Sequence, residues 1–298
     1  MPTTERFGMQ RKIAANMTAA GWWETPHASF LYDADVTEFL RWLKELNAQR
    51  DAAEAITLNT AMLKVIAEGV KACPKMNGHI NYSRRLASGS VTYFEQIDVT
   101  MPVMLDVGMV TLNIRGVEKK SMSEIRDTVA DMLRKAKNTN MQQAMYEVSL
   151  HDTLLELKRL HIVRALGRFL GFWLEGGPKT LLHGAEKRKY NAIPTSERLT
   201  RLDLEQGTIM VTNPGGLFRK WKIAGPMLEI IPPQIAAVAI NAVQDRAVVD
   251  PEGALRAGKV LSMTVAIDHR AMDADKLVPF FARVEELLSA PEKLVQFV

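Results

Sequence analysis

The spacing of apolar residues along the chain divides it into recognisable elements. Val36, Phe39, Leu40, Leu43 and Leu46 recur at helical spacing behind the cap-type residue Asp35, which predicts a helix over residues 35–50. Residues 10–20 carry a second helical pattern, and Trp22-Trp23-Glu24-Thr25-Pro26-His27 between the two is expected to be irregular, because proline disfavours helix at the residue before it. Thr57 or Asn59 caps a third helix running to about Cys73, where Pro74 follows. After the turn-like Met76-Asn77-Gly78, β-type runs occupy 91–105 and 109–115, and Ser121-Met122-Ser123-Glu124 has the hydroxyl-to-carboxylate spacing of a capping box. Three further strands are predicted at 208–212, 236–240 and 261–267, the middle one continuously apolar and so buried on both faces. Asn213-Pro214-Gly215-Gly216 and Pro232-Pro233 punctuate them. A last helix over 274–289 buries Leu277, Phe280, Phe281, Val284, Leu287 and Leu288. These pieces predict one mixed α/β domain over residues 1–298.

One region departs from this rhythm. From Leu154 to Glu175 the polar positions Lys158, His161, Arg164, Arg168 and Glu175 form a narrow stripe on an otherwise apolar helix. Burial against its own domain or a neighbouring subunit is the expected fate, and Gly167 and Gly171, four apart, suit the close approach of another helix. Contact with a membrane surface through about 154–175 is the alternative.

Composition narrows the function classes. Of 298 residues, 47% are hydrophobic, enough for a sizeable core. The net charge of +4 comes from 38 basic and 34 acidic residues dispersed along the chain, without the clustered stripe of a nucleic-acid-binding protein. The single cysteine, Cys73, excludes a disulfide within the chain and favours a reducing compartment. The N-terminus lacks a basic segment leading into an apolar one, and no stretch of spanning length is free of charge, so a cytoplasmic protein is expected.

The chemistry concentrates in Ala266-Ile267-Asp268-His269-Arg270-Ala271-Met272-Asp273, placed between a predicted strand and a predicted helix. A histidine at a strand end projects into a cleft, and an unperturbed pKa near 6.5 suits it to take a proton from a thiol. A hydrogen-bonded structural histidine would occupy the same place, so this residue alone decides nothing. The order Asp-His-Arg-x-x-Asp does more, because it resembles the signature of the acyltransferase component of 2-oxoacid dehydrogenase complexes, within the chloramphenicol acetyltransferase-like superfamily. Ala274 stands where that pattern has glycine. The resemblance extends to Gln10-Arg11-Lys12-Ile13-Ala14-Ala15-Asn16-Met17, and to Thr25-Pro26-His27 with Asp33-Ala34-Asp35-Val36. It continues through residues 98–121 with Gly108, Arg115 and Lys119-Lys120-Ser121, although Leu112 replaces the usual proline. Gly207 to Gly215 and Pro232-Pro233-Gln234 complete it. Residues 6–138 and 200–298 are covered, and 139–199 reads as a helical insertion.

That resemblance implies a mixed-sheet sandwich with flanking helices, assembled as a trimer. It implies acyl transfer between coenzyme A and a thiol, with His269 as general base and the Thr212 hydroxyl at the serine position that stabilises the oxyanion. Asp273 is implied to pair with Arg11 and hold the histidine loop, while Asp268 and Arg270 support it. No metal is expected, and no lipoyl or peripheral-subunit-binding segment is recognised, so the acceptor is a lipoyl domain on another protein or a small thiol. The apolar tail Leu294-Val295-Gln296-Phe297-Val298 suits a hook that joins trimers into a cubic shell. An amine or alcohol acceptor, or an inactive shell scaffold, are the competing readings. Which basic residues hold the coenzyme A phosphates is left open.

Overall fold

The computed structural model describes residues 9–105, 108–158, 166–167, 170, 181–250 and 252–298. The chain divides into two compact units, the larger comprising 17–102, 114–128 and 207–298, the smaller 1–16, 103–113 and 129–206. Helix α1 (Met9–Glu24) and strand β4 (Val99–Leu105) run from one into the other.

The larger unit is organised by a mixed sheet. Strand β1 (His27–Asp35) pairs antiparallel with β8 (Leu255–Asp268), and β8 pairs antiparallel with β7 (Ala236–Val249). Strand β6 (Ile209–Thr212) lies parallel to β7 on one side and to β4 on the other. Residues 236–240 are all buried, as a continuously apolar run in mid-sheet requires. Beyond it the β7–β8 hairpin extends well past the predicted limits of both strands, with a register shift between Ile240 and Val243. Strands β2 (Gly78–Ser83) and β3 (Ser88–Tyr93) form a separate antiparallel pair.

Helices α2 (Thr37–Asn47), α3 (Leu58–Ala72) and a C-terminal helix, Val278–Ser289, supply the flanking layer. The α3 start follows from Thr57, whose side chain accepts from Thr60 N at 3.1 Å. Gly69 lets the C-terminal helix approach, since a Cβ there would lie 2.8 Å from Phe280 and Val284. Phe280, Val284, Leu287 and Leu288 are buried, while Phe281 is only half-buried and packs on Tyr32 with ring centroids 5.4 Å apart. The tail 291–297 is a 3₁₀ turn whose Leu294 is buried on its own chain and whose Phe297 ring lies 4.6 Å from Lys64 Nζ. Val295 remains 60% exposed.

The N-terminal expectation needs one correction. Helix α1 continues through Trp22 and Trp23 to Glu24, because Pro26 restricts only the residue directly before it, Thr25.

In the smaller unit the distal half of β4 lies beside β5 (Gly108–Ile114). Helix α4 (Met122–Lys137) starts in the larger unit on the capping box, Glu124 N on Ser121 Oγ at 3.2 Å and Ser121 N on Glu124 Oε2 at 2.7 Å. Helices α5 (Met141–Lys158) and α6 (Gly184–Ala192) follow. The stretch after α6 returns to the end of α4, where Leu199 N donates to Thr139 Oγ1 at 2.8 Å and Arg134 pairs with Glu197. The apolar helix expected from Leu154 to Glu175 lies largely outside the described residues. Of its apolar positions, Leu154, Leu166 and Leu170 are about half exposed. No described helix is long and apolar enough to cross a membrane.

Candidate active site

His269 directly follows β8, and its backbone N donates to Pro26 O at 3.0 Å, which ties the start of the loop to the entry of β1. The preceding Asp268 is completely buried. Its Oδ1 accepts from Arg270 N at 2.9 Å, and its Oδ2 accepts from Arg270 Nη2 at 2.6 Å. The Arg270 guanidinium lies 5.6 Å from the Tyr82 ring centroid. Ala271 N and Met272 N both donate to Asp268 O, at 2.9 and 3.2 Å. One residue therefore closes the turn through both its backbone and its side chain, leaving the His269 side chain 52% exposed.

Asp273 lies on the surface of the chain. Its side chain is 74% exposed, with His269 Nδ1 3.5 Å from Oδ1. It stands past the turn, at the head of the 3₁₀ segment 274–277, whereas Asp268 ends the strand and is covered by the loop. The buried carboxylate of the motif is thus Asp268, and its cationic partner is Arg270. Arg11 is an exposed residue of α1.

Thr212 ends β6 and is half-buried. The turn behind it is held from two distant places. Asn213 accepts from Gly216 N at 2.7 Å and donates to Asn59 Oδ1 at 3.0 Å. Gly215 lies against the register shift of β7, where a Cβ would come within 2.2 Å of Asn241 C and O. Asn241 in turn accepts from Gly225 N at 3.1 Å and donates to Thr264 Oγ1 at 3.1 Å. None of Asn59, Gly215 or Asn241 was singled out for chemistry from the sequence. The turn signal Asn-Pro-Gly-Gly and the resemblance through Gly215 pointed to the turn, but the partners that hold it are remote in sequence.

The register separates the two candidate groups. Thr212 lies opposite Ala239 and Ala239 opposite Thr264, so Thr212 is level with a residue five positions before His269. Five residues of strand and two strand spacings put them roughly 20 Å apart. One chain does not bring His269 and Thr212 together; His269 stands at the rim of the sheet and Thr212 at the inner end of the short strand β6, where β7 and β8 continue past it.

Two other histidines have structural partners. His27 Nε2 accepts from Ile230 N at 2.7 Å, and His79 Nε2 lies 2.9 Å from Gly207 O. Burial holds the His79 ring below its ordinary pKa, with the Gly207 carbonyl pulling the other way. Among the described residues no cluster of three or more histidine, cysteine or acidic side chains is arranged to hold a metal ion.

Against known proteins, the chain matches the family model of the 2-oxoacid dehydrogenases acyltransferase (catalytic domain) over residues 3–148 and 186–296. The break in that match falls inside the 139–199 segment. The chain is 25% identical over 140 residues to the dihydrolipoyllysine-residue acetyltransferase component of the mitochondrial pyruvate dehydrogenase complex of Neurospora crassa, an alignment covering 47% of the chain and 29% of that relative. It thus spans under a third of the relative's length. In structure it is similar to a probable dihydrolipoamide acetyltransferase from Listeria monocytogenes, with a TM-score of 0.65 at 16% identity, covering 98% of this chain and 95% of that one. The cubic core of a pyruvate dehydrogenase multienzyme complex also gives a TM-score of 0.65, at 15% identity over 98% and 94% of the two chains.

Proposed function

From the premise that this chain belongs to the 2-oxoacid dehydrogenases acyltransferase family, we propose that it moves an acyl group between coenzyme A and a thiol acceptor. The acceptor is a lipoyl group carried by another protein or a small dithiol. His269 removes the proton from the attacking thiol as sulfur adds to the acyl carbonyl, and returns it to the departing thiolate as the tetrahedral intermediate collapses. The Thr212 hydroxyl donates to the intermediate's oxyanion.

The observation that carries this reading is the separation of His269 from Thr212 along the sheet. A base and an oxyanion donor roughly 20 Å apart act on one carbonyl only if the donor comes from a second copy. The proposal therefore includes a homo-oligomer, a trimer as the resemblance implies, with each site assembled from His269 of one copy and Thr212 of the next. Asp273 is open to solvent in the single chain, so its pairing with Arg11 belongs to the same assembled state. Asp268 and Arg270 hold the His269 loop and transfer no proton. Association of trimers into a shell, as in the cubic core to which the chain is similar, would use the exposed Val295 of the tail. The reducing compartment suggested by the lone buried Cys73 is taken to be the cytoplasm.

Turnover of acetyl-coenzyme A against dihydrolipoamide, a free lipoyl domain, and amine and alcohol acceptors tests the reading. Acetylation of the dithiols is the expected result. Preference for an amine or alcohol would move the chain to the competing acceptor class, and silence with every acceptor would leave a scaffold.

A further inference from the structure

The turn behind Thr212 leads into a segment that the proposed chemistry does not use. Between positions 214 and 228 the chain carries Arg219, Lys220 and Lys222 and no acidic residue, with Leu217, Phe218, Trp221 and Ile223 interleaved among them. All four of these apolar side chains are exposed, Trp221 at 65% and Leu217 at 64%. A soluble protein scatters such residues singly, and a run of them on one short segment marks an interaction site.

The segment is tied down through its backbone. Phe218 N donates to Pro214 O at 2.8 Å and Lys222 N donates to Phe218 O at 3.1 Å, so the winding stays near helical and Leu217, Phe218 and Trp221 fall on one side. The chain then turns at Lys222, whose φ of 51° is left-handed, and returns to β7. There Gln244 Nε2 donates to Lys222 O at 2.7 Å and Ala242 N donates to Ile223 O at 3.2 Å. The fold thus fixes the backbone and leaves the apolar side chains uncovered.

Charge decides what covers them. Among the described residues Arg219 pairs with no acidic group, and the Lys220 ammonium lies 5.8 Å from the Trp221 ring centroid. Asp245, the carboxylate that meets this segment, is already shared by Lys222 and Lys259. Cations interleaved with tryptophan and phenylalanine match a surface of anionic headgroups over acyl chains, where rings sit at the headgroup level and basic groups reach phosphates. The centre of a protein interface, by contrast, is depleted of lysine.

We propose that segment 217–223 docks the protein on an anionic membrane surface, with Leu217, Phe218 and Trp221 entering the headgroup layer and Arg219 and Lys220 meeting lipid phosphates. Docking of this kind goes beyond acyl transfer and does not depend on it. It is carried by residues separate from His269 and Thr212, and separate from 154–175.

The test is co-sedimentation of the intact protein with vesicles of phosphatidylcholine alone and of phosphatidylcholine mixed with phosphatidylglycerol. Arg219→Gln/Lys220→Gln and Phe218→Ser/Trp221→Ser double variants are compared with the wild type. These side chains are exposed and make none of the bonds that tie the segment to β7, so both variants are expected to fold. The wild type should bind the mixed vesicles and release as salt rises, and each variant should bind them about tenfold more weakly. A wild type that stays in solution with both kinds of vesicle overturns the proposal, and so does equal binding to both kinds. Equal binding by the wild type and both variants would give the membrane to another surface, such as residues 154–175, and overturns it too. A Phe218→Ser/Trp221→Ser variant of lowered mass by light scattering, with no vesicle binding by the wild type, would give the patch to a second copy instead.

Discussion

The two places on the central sheet that carry the candidate groups, the rim at His269 and the inner end of β6 at Thr212, are built in different ways. At the His269 end the scaffold is local, since Asp268, Arg270 and Asp273 all lie within four residues of the histidine. At the Thr212 end it is remote, with Asn213 held by Asn59 and Gly215 seated on Asn241. The first is a turn closed mainly by its own residues around a buried carboxylate, with Pro26 and Tyr82 beside it; the second is a junction of three chain segments. A functional group on a turn closed largely by itself can be presented to another copy without rearranging the fold. A group at a three-way junction is fixed by the core, which suits a hydroxyl that must meet a developing charge without reorganisation.

Removing the group at each end sharpens the contrast. His269→Ala is expected to lower kcat for acetyl transfer by about 10²–10⁴, with oligomeric mass unchanged by light scattering; turnover near the wild-type rate would remove the base assignment. Thr212→Ala should cost about 10²–10³, and Thr212→Ser should restore most of that loss because it keeps the hydroxyl. Equal rates for threonine, serine and alanine would reduce the position to a strand end.

The scaffolds themselves respond by smaller amounts. Among the described contacts, Arg270→Met leaves the buried Asp268 carboxylate only the backbone N–H of position 270 as donor, and urea unfolding should show a loss on the order of 2–3 kcal/mol, moderated by the partial exposure of the arginine. A variant as stable as the wild type would mean that the pair does not hold the loop. The smallest effect concerns the buried His79, whose pKa is lowered. Above the unfolded value near 6.5 the neutral ring suits both states. As pH falls below it the unfolded chain takes up the proton first, so stability is lost through the window between the unfolded and the lower folded value. His79→Gln, which keeps a donor for Gly207 O, should flatten the decline of unfolding free energy as pH falls below about 6.5. An unaltered slope would place that acid sensitivity elsewhere.

The same contrast governs what was legible in the sequence. The His269 loop was readable because its determinants are contiguous, and the strands at 208–212, 236–240 and 261–267 because each is apolar and bounded by turn residues. Which of the two aspartates goes under the loop was not legible, because a one-dimensional pattern does not distinguish them. Strand-end geometry buries Asp268. The junction behind Thr212 was not legible, since Asn59 and Asn213 meet across 154 positions and the need for glycine at 215 arises only where β7 shifts register. The continuation of α1 through two tryptophans was missed because the reach of Pro26 was taken to be longer than one residue.

In the proposed assembly one site takes its base from one copy and its oxyanion donor from another. Co-expression of His269→Ala and Thr212→Ala chains with different affinity tags, and purification of assemblies carrying both, tests it directly. Each variant alone should be nearly inactive in acetyl transfer from acetyl-coenzyme A to dihydrolipoamide. The mixed assemblies should recover a substantial fraction of wild-type turnover, because pairing a Thr212→Ala copy with a His269→Ala copy restores one site with both groups intact. Mixed assemblies no more active than the two variants assayed separately would contradict a shared site.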